Sequence, residues 1–102
     1  MPIRPTLAAF ERLLGKRVSA SLVTGQRVEF ELIEAQSLPA HARPDGQANP
    51  RESFSLVFRG PPGPALPQRL YALEEESLGK LEIFLVPIGP DASGQRYEAV
   101  FN

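Results

Sequence analysis

The sequence predicts a mainly β fold, a six-stranded antiparallel barrel or roll with one short N-terminal α-helix. Three observations carry this prediction. Several segments alternate apolar and polar residues, as strands do when they bury one face. Proline, glycine and other turn residues separate these segments, and only one segment has the capping and the apolar spacing of a helix. Because 102 residues are enough for one core, residues 1–102 are expected to form a single domain.

The helix is predicted over residues 6–14, because Thr6 is a suitable N-cap and Gly15 a suitable C-terminal stop. Its apolar face carries Leu7, Phe10 and Leu14. A helix of this length is marginal in isolation. The apolar face is therefore expected to dock on the sheet or to close one end of a barrel.

Six segments have the composition and alternation of strands. They are predicted at residues 17–23, 27–35, 53–59, 68–74, 80–88 and 95–102. The first two read as a hairpin, and the others are expected to follow as a meander, with a six-residue hairpin loop at 89–94. Residues 36–51 form a long polar connection that is rich in proline and turn residues, so a mobile loop is predicted there.

The fifth strand is apolar on both faces. Leu81, Ile83 and Leu85 alternate with Phe84 and Val86. Such a strand is expected to be central or covered on its second face, by the helix or by a partner subunit. Six strands of this length either curl into a small barrel or form a sheet covered by the helix, and we favour a partly open barrel.

Composition and charge restrict the function classes. The absence of cysteine excludes a disulfide scaffold, thiolate metal sites and a cysteine nucleophile. The net charge is −1, from 11 basic and 12 acidic residues that are dispersed along the chain, so nucleic acid is not an expected partner. Prolines and charges interrupt residues 1–12, so neither a secretory segment nor a membrane span is expected, and the cytoplasm is the expected compartment.

The residue types that carry chemistry are sparse. His41 forms a catalytic triad on paper with Asp45 and Ser37 or Ser55, but no nucleophile motif supports it. A lone histidine also lacks a second metal ligand at a suitable spacing, so His41 is interpreted as a solvated loop residue. The run 74–76 consists of glutamates that are interpreted as a solvated turn rather than as paired catalytic carboxylates.

No catalytic, cofactor-binding or metal-binding residue is therefore predicted, and no cofactor is expected. Arg59 ends a strand beside the stiff segment 60–64, where its guanidinium is placed to bind a carboxylate of residues 74–76 or of a partner. The residues predicted to contact a partner are Arg59, Tyr71, Phe84 and Val86.

Five motifs together resemble a family of small uncharacterised bacterial proteins that is classed as a domain of unknown function. They are Phe-x-x-Leu-Leu-Gly from residue 10, Ser-Phe-Ser-Leu-Val-Phe-Arg-Gly-Pro from 53, Leu-Pro-Gln-x-x-Tyr-x-Leu-Glu from 66, Leu-Gly-x-Leu-Glu-Ile-Phe-Leu-Val-Pro-Ile-Gly from 78 and Tyr-Glu-Ala-Val-Phe-Asn from 97. The resemblance covers residues 10–102 and implies a link to phage-tail-like gene clusters. It also implies a histidine after the fourth strand, where this chain has Glu75 and Glu76.

Three functions remain open. The leading hypothesis is a non-enzymatic protein-interaction or assembly module, an accessory of a phage-tail-like particle, whose partner is another protein or a second copy of the chain. The alternative is a small β-barrel that binds an apolar small molecule inside a lining of aromatic side chains. Those side chains are Phe30, Phe54, Phe58, Tyr97 and Phe101. The third is a hydrolase whose site the sequence does not reveal.

Overall fold

The computed structural model describes residues 6–22, 24–38, 53–76 and 78–101. It confirms the predicted fold class, since six antiparallel strands close into a barrel behind one short helix. The elements are α1 (Leu7–Glu11), β1 (Arg17–Ser21), β2 (Arg27–Ser37), β3 (Phe54–Arg59), β4 (Arg69–Glu75), β5 (Gly79–Asp91) and β6 (Gly94–Phe101). The predicted mobile loop lies outside the described residues from residue 39 onward, and residues 36 and 37 belong to β2.

The helix is shorter than predicted. Thr6 caps it as expected, because the Thr6 hydroxyl accepts a hydrogen bond from the Ala9 N–H at 3.2 Å. After Glu11 the backbone tightens into turns, and the Leu13 N–H bonds the Phe10 carbonyl three residues back. This tightening turns Leu13 into the core, with 2% of its surface exposed, whereas Leu14, which we predicted to be buried, is 44% exposed.

The last hairpin also differs from the prediction of a six-residue loop. Strand β5 runs on to Asp91, and only Ala92 and Ser93 connect it to β6. The Asp91 carboxylate makes this tight turn possible, because one of its oxygens accepts from the Ser93 and Gly94 N–H groups at 2.8 and 3.0 Å. A register shift between Pro87 and Gly89 accommodates the proline-containing stretch, as bulges do.

The strand order is not the predicted meander. Around the barrel the strands follow the order β1-β2-β3-β6-β5-β4, and β4 returns to pair with β1. Strand β3 has β2 on one side and β6 on the other, so the chain between β3 and β4 must cross one end of the barrel. The barrel is closed rather than partly open, although only two residue pairs, Ser19 with Glu74 and Ala20 with Leu73, join β1 to β4.

Side chains fill the barrel and both of its ends. At one end, Phe10 of the helix contacts the rings of Phe54 and Phe101, at centroid distances of 5.8 and 5.6 Å. At the other end, Phe30 meets Tyr97 edge to face at 5.4 Å, under the segment that crosses from β3 to β4. A crevice beside the helix reaches the core between Phe10, Phe58 and Ile83, and its volume of about 10 Å³ is at most the space that one water molecule needs.

Candidate functional site

The candidate site is a row of apolar side chains on the outside of the barrel, across β4, β5 and β6. It consists of Leu70, Phe84 and Val100, and we call it the outer apolar row. These side chains are 53%, 49% and 52% exposed. The outward faces of antiparallel strands are ordinarily polar, so three large apolar side chains here are the feature that most needs an explanation.

The pairing of the strands places the three side chains side by side. Leu70 is directly opposite Phe84 in the β4–β5 ladder. Val86 is opposite Glu98 in the antiparallel β5–β6 ladder. Two residues before Val86 and two residues after Glu98, the same register places Phe84 next to Val100. Because residues two apart share a face of a strand, the row runs directly across the three strands.

The predicted interaction residues on β5 lie at this surface. Phe84 is central in the row, and Val86, on the same face, is partly buried. Ile88 extends the apolar character along β5 at the register shift and is also exposed. Ile83 and Leu85 are buried in the core, whereas Phe84 is half-exposed, so the helix does not cover the second face of β5, which was one of the coverings we expected.

Charged side chains frame the row on both sides. Glu82, which is opposite Ala72 in the β4–β5 ladder, lies on the side of the row that is nearer the helix end of the barrel. Glu98 lies on the opposite side, and Arg96 lies beyond it, where its Nε donates to the Gly89 carbonyl at 3.3 Å. An apolar centre with a charged rim is the arrangement found in protein–protein interfaces.

Arg59 lies elsewhere and is occupied within the chain. Its guanidinium binds the Asp91 carboxylate through two nitrogens, with Nε–Oδ2 at 2.9 Å and Nη2–Oδ2 at 2.6 Å. Glu31 approaches the same guanidinium at 3.9 Å. The internal carboxylate partner is therefore Asp91 and not the predicted run 74–76, because the closing turn of β5 and β6 reaches the end of β3. The Arg59–Asp91 pair fastens that turn to the barrel.

The pair has a pH-dependent consequence. Hydrogen bonds from Arg59 and from the Ser93 N–H lower the pKa of Asp91 from 3.8 to about 2. A carboxyl group whose pKa is lower in the folded state stabilises the fold above its unfolded pKa, and this contribution is lost as the pH falls through the folded value. The stabilisation by Asp91 is thus complete above about pH 4 and disappears towards about pH 2.

Asp91→Asn is therefore expected to lower the melting temperature at pH 7 and to have progressively less effect as the pH falls from about 4 to about 2. Asparagine keeps the oxygen that accepts from the turn N–H groups, so the variant isolates the charge. Thermal unfolding of both proteins across this pH range measures the difference. Glu29→Gln, which removes the exposed pair with Arg17, is the control and should change little. A difference in melting temperature that stays constant with pH would contradict the assignment.

Tyr71, the fourth predicted interaction residue, points into the barrel rather than outward. It is buried, and its hydroxyl donates to the Pro67 carbonyl at 2.6 Å. Because neighbouring residues of a strand point to opposite faces, Tyr71 lies in the core and Leu70 lies in the outer apolar row. Leu70 and Val100 were the members of the row that sequence reasoning missed. The alternation of β4 and β6 was a signal for their outward direction, but no sequence pattern gave the register that joins them to Phe84.

The sequence-level chemical candidates do not form a site in the described part of the chain. His41 and Asp45 lie outside the described residues. Ser37 and Ser55 lie one pair apart on β2 and β3, with Ser55 opposite Gln36. Glu74 binds Arg27 at 3.3 Å and approaches Lys80 at 3.9 Å.

The described residues were also compared with the requirements of a metal site and of a membrane-spanning helix. None of their acidic and histidine side chains form a cluster of three or more that could hold a metal ion. Within the same residues, no helix has the length and apolarity required to cross a membrane.

Comparison with known proteins gives one match. The model of the family described as "Domain of unknown function (DUF6916)" matches residues 5–101. No curated protein and no solved structure matches the chain. The match thus covers the helix and all six strands of the barrel, including every strand that carries the outer apolar row.

Proposed function

Since the chain belongs to the DUF6916 family, whose description assigns no activity, we propose from its surface that it is a non-enzymatic protein-interaction module. The outer apolar row is its docking surface. The observation that carries the proposal is the alignment of Leu70, Phe84 and Val100 across three strands of a closed barrel whose core is already filled without them.

The energetics of the row support docking but limit what it does alone. Burying the exposed half of each of three apolar side chains contributes about 1 kcal/mol per side chain. Association costs at least about 4 kcal/mol in lost rotational and translational freedom, so the row must be the centre of a larger contact. A typical partner covers roughly 800 Å². The surrounding rim, with Glu82, Glu98 and Arg96, would then also be covered.

The groove beside Arg59 supports the non-enzymatic part of the proposal. It has a volume of about 370 Å³ and contains several charged side chains. Arg17 pairs with Glu29 at 3.2 Å, and Arg59 pairs with Asp91 and approaches Glu31. Charges that neutralise one another at the end of a strand serve the fold, whereas a catalytic site needs groups directed at a substrate.

The interior does not favour the alternative of a barrel that holds an apolar small molecule. The aromatic residues proposed as a cavity lining instead pack on one another, with Phe54 and Phe101 stacked at 4.7 Å and Phe30 against Phe58 at 6.4 Å. The crevice that reaches the core beside the helix, with about 10 Å³, has no room for such a ligand.

We extend the proposal to the setting that the sequence motifs suggest. In this setting the protein is a bacterial, cytoplasmic accessory of a phage-tail-like particle, and the outer apolar row binds a protein of that particle or a second copy of the chain. The support is the resemblance of the strand motifs, together with a small closed barrel that presents the outer apolar row.

Phe84→Asp tests the docking surface. The variant places a charge at the centre of the row and is expected to weaken association at least tenfold, because a central aromatic side chain contributes about 2 kcal/mol or more to an interface. Light scattering after size-exclusion chromatography measures self-association, and tagged protein recovered from cells that make such particles measures particle binding. Leu14→Asp is the matched control, because Leu14 is similarly exposed but belongs to the helix segment.

The proposal requires a complex that Phe84→Asp disrupts and Leu14→Asp leaves intact. Two results contradict it. One is a monomer that recovers no protein of the particle. The other is a complex that both variants leave unchanged or weaken equally, because such a complex would not depend on the outer apolar row.

A further inference from the structure

The barrel is weakly closed between β1 and β4, and this leaves part of β4 open. Of the described residues, only Ser19 and Ala20 pair with β4 at this seam, opposite Glu74 and Leu73. Strand β4 begins at Arg69, so residues 69–72 extend beyond the last of these pairs while they remain paired with β5 on their other side. Because backbone groups of a strand point alternately to its two sides, the groups of this stretch that point away from β5 have no partner strand among the described residues, and we call the stretch the free edge of β4.

A groove lies beside this free edge. Its volume is about 270 Å³, far above the ~10–15 Å³ that a single water molecule needs, so an amino-acid side chain fits. Most of its lining is apolar. The lining residues are Ser21, Leu22, Thr24, Leu66, Pro67, Arg69, Leu70 and Tyr71. We call this the seam groove.

Two hydrogen bonds fix the shape of the seam groove. The Tyr71 hydroxyl donates to the Pro67 carbonyl at 2.6 Å, and the Leu66 N–H donates to the Tyr97 hydroxyl at 2.9 Å. Burial raises the pKa of Tyr71, so its hydroxyl keeps the proton that it donates. Proline also restricts the backbone of this wall. The groove is therefore formed before any ligand arrives, which reduces the entropic cost of binding.

The charge at the seam defines the chemistry of a ligand. Arg69 is the one charged side chain among the described residues that line the groove, and it is exposed. Further along the same seam, Arg27 and Lys80 share a single carboxylate, that of Glu74. Arg69 thus supplies the positive charge at this end of the seam, and among the described residues it forms no ion pair that would compete with an acidic ligand.

We propose that the free edge of β4 binds an extended segment of a partner protein as an added strand. An apolar side chain of that segment enters the seam groove, and a neighbouring carboxylate binds Arg69. Backbone pairing with an edge strand gives affinity, while pockets for alternate side chains give sequence preference. This inference rests on the proposed function, that the chain works by protein contact, and it adds a second surface and the chemistry of its ligand.

The test uses a random-peptide library displayed on phage and panned against the immobilised full chain. Enriched peptides are expected to combine alternating apolar residues with an aspartate or glutamate. The best peptide is then synthesised, and its affinity is measured by fluorescence polarisation. Arg69→Glu is expected to weaken binding at least tenfold, because it replaces a charge-assisted hydrogen bond with repulsion. Arg12→Glu, an exposed arginine of the helix segment, is the control and should leave the affinity unchanged. Phe84→Asp shows whether the peptide binds the outer apolar row instead.

Backbone methylation of the peptide tests strand addition directly. Replacing one backbone N–H at a time with N–CH₃ should abolish binding at alternate positions only, because only alternate residues of the added strand pair with β4. Equal tolerance at every position would overturn the added strand. Failure to enrich any peptide, or unchanged affinity for Arg69→Glu, would overturn the groove as the site. Loss of binding in Phe84→Asp alone would also overturn it while leaving the outer apolar row, and so the proposed function, intact.

Discussion

Phe30→Ala is expected to lower the free energy of unfolding by about 3–5 kcal/mol, the usual cost of removing a buried phenylalanine ring. Phe30 has no exposed surface and contacts the rings of Phe58, Tyr71 and Tyr97 at centroid distances of 5.4 to 6.4 Å. Its removal would leave a cavity where the barrel meets the segment that crosses its end. Since a domain of this size is typically stable by about 5–15 kcal/mol, the variant should be near the limit of folding.

Phe84→Ala is the matched control for this prediction, because it removes the same side chain from the outer apolar row. Phe84 is half-exposed and faces away from the core, so the expected loss is about 1 kcal/mol or less. Urea denaturation followed by circular dichroism gives both values. Equal losses for the two variants would mean that Phe84 is as important to the fold as Phe30, and the argument that the row is free for a partner would fail.

Gly94→Ala is expected to lower the free energy of unfolding by about 3 kcal/mol or more, beyond the usual range for overpacking a core. A methyl group on Gly94 would collide with the Gly60 carbonyl oxygen and would meet the Arg59 side chain at 3.3 Å. The carbonyl belongs to the backbone and cannot rotate away. Relief requires the start of β6 to move from the end of β3, which breaks the hydrogen bond from the Gly60 N–H to the Gln95 carbonyl at 2.7 Å.

Gly25→Ala separates this collision from the general effect of replacing a glycine. Gly25 has a φ of 89° and open space around the position of a Cβ atom, so alanine there costs only the conformational strain, about 1–2 kcal/mol. Chemical denaturation of the two variants makes the comparison. If Gly94→Ala proved no more destabilising than Gly25→Ala, the close approach of β3 and β6 would not be a constraint on the fold.

The two predictions also bear on the functional proposals. A core that depends on Phe30 and a β3–β6 contact that depends on Gly94 would make the barrel rigid on the side of the Arg59–Asp91 pair. The β1–β4 seam, with two residue pairs, is the less constrained side. The free edge of β4 that we propose as a strand-addition site lies on this less constrained side.

Local patterns predicted most elements because they depend on neighbouring residues. Alternation placed Phe30, Phe58 and Tyr97 in the core and Phe84 outside, and the structure agrees. The prediction failed where a short-range choice depended on packing. Leu13 rather than Leu14 is buried, since the turn after the helix is tightened by a hydrogen bond to Phe10 that the apolar spacing does not encode.

The sequence predicted only part of the candidate site, because the rest depends on packing between strands. The outward direction of Phe84 follows from its own strand, but its neighbours across β4 and β6 depend on strand register. The turn after β5 looked like a long loop, because its proline and glycine content masks the continuation of the strand to Asp91. The carboxylate that binds Arg59 was therefore not identified.

Local sequence patterns alone were enough to predict a small β-domain, a short capped helix, the inward faces of the strands and an outward phenylalanine. These properties follow from the period of the backbone, in which every second residue shares a face. Three features became apparent only in the folded barrel. They are the strand order, the short β1–β4 seam with its groove, and the pairing of Arg59 with Asp91, 32 residues apart. Such contacts depend on how the whole barrel closes, because each register is fixed jointly by the packed core and by the turns at both ends of a strand.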